Sequence, residues 1–217
     1  MRQHLRPFDS SAPLRLTAEK IASELSQNSY SVTDQFLSPD EFETLKDYVK
    51  KLKEEEHLKK AGIGKQQSFQ IDREIRGDYI RWIDPQNEEE IFLPLLERMR
   101  ILMDYLNRTC FLGLKDFETH VAYYPENTFY RRHVDRFQQN AHRVVSFVLY
   151  LNADWKPDDG GELVLYPTDD QLLEIAPVGG RLAMFLSDMP HEVLESYSGR
   201  YSITGWMLNQ LKELTFL

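Results

Sequence analysis

The sequence predicts an α+β, mainly β domain, with supporting helices in the first half and then a sandwich, barrel or jelly roll. Three observations carry this. Amphipathic helical stretches stop at Leu106, and from Phe117 onward short strand-like runs follow one another, separated by turn residues. The chain has 217 residues, the size of one domain, and 41% are hydrophobic, a globular balance. No linker, internal repeat or low-complexity stretch divides it.

Thr17 to Leu25 reads as an amphipathic helix with Thr17 as N-cap, and Tyr30 to Phe36 alternates as a strand. Ser38-Pro39-Asp40-Glu41 is a capping box with proline at the first helical position. The helix it starts places Phe42, Leu45, Tyr48, Val49 and Leu52 on one face, a stripe that reads as core packing. Its Lys/Glu-rich tail, Lys50 to Lys60, reads as a solvated face. Glu88 to Leu106 is the second long helix, with acidic residues gathered where the dipole favours them. Proline is tolerated in a first turn and not in an interior, which moves the start from Glu88 towards Pro94. Strands follow at Phe117–Tyr124, Arg143–Asn152, Glu162–Tyr166, Leu172–Ile175, Arg181–Leu186, Glu192–Ser196 and Tyr201–Leu208. Turn residues at Pro125 to Asn127, Pro157 to Gly161, Pro177 to Gly180 and Ser198-Gly199 punctuate them.

The formal charge of −9 speaks against non-specific nucleic-acid binding, which needs a basic footprint. It favours instead a target with a basic face. Cys110 is the single cysteine, so no intrachain disulfide forms and a reducing compartment is expected. No run approaches the roughly 18 apolar residues of a membrane span. Met1 to Phe8 lacks the apolar region of a signal peptide. A cytoplasmic protein with no membrane contact is expected.

The chemistry gathers towards the C-terminal end. His133 and Asp135 stand two apart in Tyr130-Arg131-Arg132-His133-Val134-Asp135, and His191 lies in Met189-Pro190-His191-Glu192-Val193. On a strand, residues two apart share a face, and a jelly roll brings a distant strand to meet them. Two imidazoles and one carboxylate suit iron(II), whereas a lone cysteine leaves no zinc-finger set. A bare His-x-Asp is a weak motif, and a lone strand histidine is more often packed than ligating. The motif gains weight from Gly160-Gly161-Glu162-Leu163 between the ligands, from Pro190, and from Arg200. His4, His57 and His142 have no such company. His120 is the only rival ligand and reads as a packed histidine.

Arg200 comes nine residues after His191, a spacing that lets one strand end at the metal and the next begin at an anion. A guanidinium pairs a carboxylate bidentately. Iron plus Arg200 therefore points to 2-oxoglutarate, chelating the metal at one end and held by the arginine at the other. Tyr150 offers a phenol hydrogen bond, and Thr204, four residues after Arg200, faces the same cavity. The plainer readings are a surface salt bridge for Arg200 and a core aromatic for Tyr150.

A wider set of words accompanies these residues. They are Ile75-Arg76-Gly77-Asp78 with Trp82, Val121-Ala122 with Tyr124-Pro125, Tyr130 before Arg132 to Asp135, Tyr150-Leu151-Asn152 with Asp154-Trp155, Gly160-Gly161 with Leu163, Pro190 to Val193, and Arg200-Tyr201 with Ile203-Thr204 and Trp206. On these, Arg73 to Leu208 resembles the hypoxia-inducible-factor prolyl hydroxylases and their bacterial relatives, within the prolyl 4-hydroxylase-like 2-oxoglutarate oxygenases. The resemblance implies a double-stranded β-helix over residues 71–217, with 1–70 as helical and strand support, in a single catalytic domain over 1–217. It implies His133, Asp135 and His191 as iron ligands. It gives Arg200 and Tyr150 the 5-carboxylate of 2-oxoglutarate, makes Tyr124 a pocket tyrosine beside the iron, and sets Thr204 and Trp206 on the far side of the co-substrate cavity. Ile75 to Trp82, with Arg76, Gly77, Asp78 and Trp82, matches a mobile segment that folds over a prolyl substrate, with Asp78 paired to Arg143.

The implied reaction is C4 hydroxylation of a proline in a cytosolic protein, with translation factors as a target class. Iron(II), 2-oxoglutarate and O2 take part, ascorbate serves as reductant, and succinate and CO2 are coproducts. Two alternatives stay open from the residues. One is hydroxylation of another side chain or a free amino acid by the same iron core. The other is a non-catalytic jelly roll that keeps metal for stability or oxygen sensing, against which an intact Arg200 and Tyr150 argue.

Overall fold

The computed structural model describes residues 12–62, 74–84, 90–137, 140–168 and 170–211. His4 and the Glu88-Glu89 start expected for the second long helix lie outside them. Three helices precede most of the strands: α1 (Ala12–Asn28), α2 (Pro39–Glu54) and α3 (Leu93–Cys110). Between them lie β1 (Tyr30–Thr33), β2 (Lys59–Lys60) and β3 (Tyr79–Ile83). Then come β4 (Asp116–Tyr124), β5 (Thr128–His133), β6 (Arg143–Tyr150), β7 (Leu163–Thr168), β8 (Gln171–Ile175), β9 (Leu182–Leu186), β10 (His191–Ser196) and β11 (Arg200–Leu208). They form two antiparallel sheets, a major one ordered β1-β9-β6-β11-β4-β3-β2 and a minor one ordered β5-β10-β7-β8. This is the expected jelly roll.

Strand alternation gives the major sheet two different faces. One face, with Phe117, Val121, Phe147, Leu149, Ile203 and Met207, packs on Ile21, Val49, Leu96 and Leu102 of the three helices. The opposite face, with Ala122, Tyr124, Val148 and Tyr150, meets Leu163, Leu165 and Val193 of the minor sheet. The capping box is present as read: Ser38 Oγ accepts from Glu41 N–H at 3.3 Å, and Glu41 Oε2 accepts from Ser38 N–H at 2.8 Å. Arg98 on α3 also pairs with Glu41 at 2.6 Å, so one carboxylate caps α2 and ties it to α3.

Several boundaries differ from expectation. Thr17 is not an N-cap: α1 begins at Ala12, and Thr17 Oγ1 donates to Pro13 O one turn back. The strand from Tyr30 ends at Thr33 rather than Phe36. A 3-10 turn at Glu90–Phe92 leads into α3, so Pro94 falls in the first turn and spares the interior. The sequence predicts no strand at β2, β3 or β5, and α2 ends at Glu54 while Lys59–Lys60, expected in a solvated helix tail, pair with β3. No helix among the described residues is long and apolar enough to cross a membrane.

Candidate metal centre and co-substrate cavity

His133 closes β5 and His191 opens β10, and the two are direct cross-strand partners. His191 thus begins its strand, where the spacing to Arg200 suggested an end. Asp135 lies just past β5 in a turn, where its N–H donates to Ser187 O at 3.0 Å. That turn, rather than strand alternation, aims the carboxylate. One donor atom from each of the three residues lies within 4.8 Å of the others, and among the described residues this is the one such group. Asp135 Oδ1 is 3.7 Å from His133 Nε2, and Oδ2 is 3.4 Å from His191 Nε2.

The surroundings set each ligand's protonation. His133 Nδ1 is 2.7 Å from Arg131 O, and His191 Nδ1 is 3.0 Å from Met189 O. A carbonyl only accepts, so each Nδ1 carries the proton and each Nε2 offers its lone pair. Burial, helped by the neighbouring His191, pushes His133 down to about 4, which keeps its ring neutral. Burial pushes the Asp135 carboxyl up, but the two imidazoles, the Ser146 hydroxyl and the Trp206 indole outweigh it and the net shift is downward. Ser146 Oγ donates to Asp135 Oδ2 at 2.7 Å and lies 2.9 Å from Ser187 Oγ. Having given its one proton to the carboxylate, Ser146 must accept from Ser187. Tyr130 stacks on His133 at 3.7 Å and 18°, and Phe185 meets His191 edge-on at 4.6 Å. No sequence motif marked Ser146, Ser187 or Phe185; only the folded register brings them to the ligands.

The three residues line a cavity of about 760 Å³ between the sheets, together with Tyr124, Arg200, Thr204 and Trp206. Arg200 opens β11 opposite Tyr124 and is 3% exposed. Its guanidinium carbon lies 4.8 Å from the Tyr124 ring centre and 5.0 Å from that of Tyr150. Tyr150 is fully buried behind Arg200 rather than in the cavity wall. Burial pushes both phenols up, so each stays protonated. Gly161 makes room: its φ is +76°, and a Cβ there would sit 2.9 Å from Arg200 Cδ.

Arg76, Asp78 and Trp82 line the cavity, Asp78 buried and Trp82 exposed, while Gly77 lies outside it and lines a neighbouring hollow. The expected covering segment is, in its described part, built into both sheets. Gly77 N–H donates to Phe129 O and Arg131 N–H to Ile75 O along β5, and Tyr79 to Ile83 pair with β4. The expected Asp78–Arg143 pair does not form. Arg76, two residues away, donates to both Asp78 oxygens at 2.7 and 2.6 Å. Arg143 sets its guanidinium carbon 3.5 Å from the Trp206 ring centre and donates to Glu118 Oε1 at 2.6 Å. Each cation has taken a nearer carboxylate. His120 is not among the ligands: it packs against both Trp82 and Trp206, whose rings also meet each other at 6.2 Å.

Five buried side-chain polar atoms make no well-formed hydrogen bond among the described residues: His120 Nδ1, Asn140 Oδ1, Tyr150 Oη, Arg200 Nε and Trp206 Nε1, although the Tyr150 phenol lies beside Arg200 and the Trp206 indole beside Asp135. Four belong to cavity-lining residues, and the fifth is on the ring packed against Arg200. Native interiors leave few such groups, so their gathering at one cavity marks a place for a polar ligand. Arg200 and Tyr150 suit a carboxylate, and two neutral Nε2 atoms with one carboxylate suit iron(II).

Comparison with known proteins agrees. Residues 119–208 match the profile of the 2OG-Fe(II) oxygenase superfamily. Egl nine homolog 1 of Mus musculus is 33% identical over 219 residues, covering 93% of this chain and 53% of that protein, so the chain spans about half its length. A crystal structure of a Pseudomonas putida prolyl-4-hydroxylase is 38% identical with a TM-score of 0.82, covering 89% of this chain and 100% of that one. A prolyl hydroxylase from Trichoplax adhaerens, solved with a hypoxia inducible factor oxygen degradation domain peptide fragment, is 26% identical with a TM-score of 0.83, covering 93% and 95%. The chain belongs to the 2OG-Fe(II) oxygenase superfamily, whose members use iron(II), 2-oxoglutarate and O2, and is a homologue of its prolyl hydroxylases.

Proposed function

We propose that the protein is a 2-oxoglutarate- and iron(II)-dependent hydroxylase of a prolyl residue in a protein. The observation that carries it is the coincidence, in one cavity, of the His133-Asp135-His191 group with the partnerless Arg200 Nε and, beside it, Tyr150 Oη. When bound, the iron supplies O2 activation: one oxygen atom goes to the substrate C–H as hydroxyl, the other to succinate as 2-oxoglutarate loses CO2. The chain's own residues do the rest. His133 and His191 present fixed Nε2 lone pairs, Ser146 holds Asp135, and Arg200 with Tyr150 anchors the far carboxylate. Tyr130 and Phe185 shield the ligand rings from water.

A polypeptide substrate is supported by the wall of Arg76, Asp78 and Trp82 and by the peptide held in the Trichoplax adhaerens relative. The finer reading is hydroxylation at C4 in a cytosolic protein, with translation factors as the first targets to assay and ascorbate as reductant. Proteome-wide mass spectrometry of cells with the wild-type chain or Asp135→Ala is the test. Proline peptides heavier by one oxygen should appear with the wild type and vanish in the variant. Equal hydroxylation in both would sink the assignment, and modification of a different residue type would favour the alternative target.

A further inference from the structure

We propose that His120 is a specificity-determining residue that hydrogen-bonds the substrate polypeptide where the target residue enters the cavity. This rests on the prolyl-hydroxylase reading above. Arg200 and Tyr150 have a ligand to explain their partnerless atoms; His120 Nδ1 has none. A buried imidazole nitrogen without a partner is costly, and a ligand is the simplest way to satisfy it.

Position says which ligand. Sheet register sets Trp82, His120 and Thr204 side by side on β3, β4 and β11, so His120 is one strand spacing, about 4.8 Å, from each neighbour. Trp82 is 47% exposed, His120 is 3% exposed and Thr204 is half-buried, and all three line the cavity. Arg200, the anchor for the co-substrate's far end, is four residues along β11, roughly 13 Å away at strand rise. His120 therefore lies in the cavity lining one strand in from the exposed Trp82, on the side away from the anion site.

Its neighbours fix the ring and its charge. Trp82 lies 5.0 Å away at 61° and Trp206 5.4 Å away at 31°. A half-turn about Cβ–Cγ exchanges Nδ1 with Cδ2 and Nε2 with Cε1 in the plane of the ring, so the nitrogens can be re-aimed while the contacts with both tryptophans are kept. Burial, with Arg76 and Arg143 nearby, keeps the ring neutral. A neutral imidazole donates from one nitrogen and accepts at the other, which matches a peptide group.

The test uses the iron-loaded full chain and a pooled library of proline-centred peptides, with hydroxylation read by mass spectrometry. His120→Phe keeps the ring contacts with Trp82 and Trp206 and removes the hydrogen bond. It should raise KM for the peptides turned over by roughly three- to tenfold and leave 2-oxoglutarate affinity unchanged. His120→Gln, which restores a donor and an acceptor, should recover part of that loss. An unchanged peptide KM in His120→Phe overturns the assignment. So does a loss confined to 2-oxoglutarate affinity, which would move the residue to the co-substrate. If His120→Phe does not fold, His120→Met takes its place, with the same KM rise expected relative to His120→Gln. Wild-type protein that consumes 2-oxoglutarate but hydroxylates no proline refutes the prolyl reading, a result separable from any His120 variant, and the inference falls with it.

Discussion

At the scale of single residues, the hydroxyl of Ser146 decides how Asp135 faces a metal. It occupies Oδ2 from a fully paired position beneath the carboxylate, leaving the ligand one orientation. Ser146→Ala should weaken binding by about 10–100-fold, the usual loss when a metal ligand's own support is removed. Titration with cobalt(II), a spectroscopic stand-in for iron, reads this directly; wild-type affinity would reduce Ser146 to packing. The buried imidazoles give a second expectation. Burial pushes His120 down to about 3 and His133 down to about 4, from an ordinary 6.5. The folded chain then holds fewer protons than the unfolded one below 6.5. Their contribution is fully present above 6.5 and is lost as pH falls through the window down to 4 for His133 and to 3 for His120. The slope is roughly 1.4 kcal/mol per pH unit per group at its steepest. Urea unfolding of the metal-free protein at about pH 7.5 and about pH 5 measures it, and His120→Phe should flatten it. Equal slopes in wild type and variant would contradict a neutral, buried His120.

At the scale of elements, the turn between the short 3-10 stretch Pro157–Asp159 and β7 shapes the anion site as much as Arg200 does. Gly161→Ala forces a side chain into a left-handed backbone and into Arg200 Cδ. It should destabilise the fold by more than about 1 kcal/mol and weaken 2-oxoglutarate binding while sparing metal binding. Isothermal titration with each ligand separates the two, and undisturbed 2-oxoglutarate affinity would show that Arg200 needs no such room. Much of this architecture was legible in the sequence. Turn residues separate most of the strands of the second half, and Ser38 to Glu41 announced α2 with its cap. Strand β5 was not legible, because Arg131 and Arg132 break its alternation and its pairing with Ile75 to Gly77 is non-local. Thr17 misled because a threonine before an apolar periodic run looks like a cap, yet here its hydroxyl bonds back along the helix. The metal ligands and Arg200 could be named from local words. The Asp78 and Arg143 partners could not, since Glu118 reaches Arg143 only through the register of β4 with β11 and β6.

At the scale of the whole molecule, the major sheet separates stability from chemistry. Its helix-covered face holds the larger apolar core, and its other face holds the cavity. A ligand that binds only the folded state stabilises it by mass action, about 2.7 kcal/mol at a hundredfold excess over Kd. For a chain of this size that is roughly 5–10 °C in Tm. Cobalt(II) and then 2-oxoglutarate should therefore raise Tm in two steps. Leu96, fully buried on the inner face of α3, belongs to the helix-side core and not to the cavity lining, so Leu96→Ala should lower Tm through a loss of about 2–5 kcal/mol yet keep both steps. Arg200→Ala should do the reverse, keeping the cobalt(II) step and losing most of the 2-oxoglutarate step, because the metal ligands stay in place while the far carboxylate loses its anchor. Thermal scans of the three proteins decide it. If Leu96→Ala erased the ligand steps, or Arg200→Ala kept both, the two faces of the sheet would be coupled, and the site would depend on the helices beyond their support of the strands.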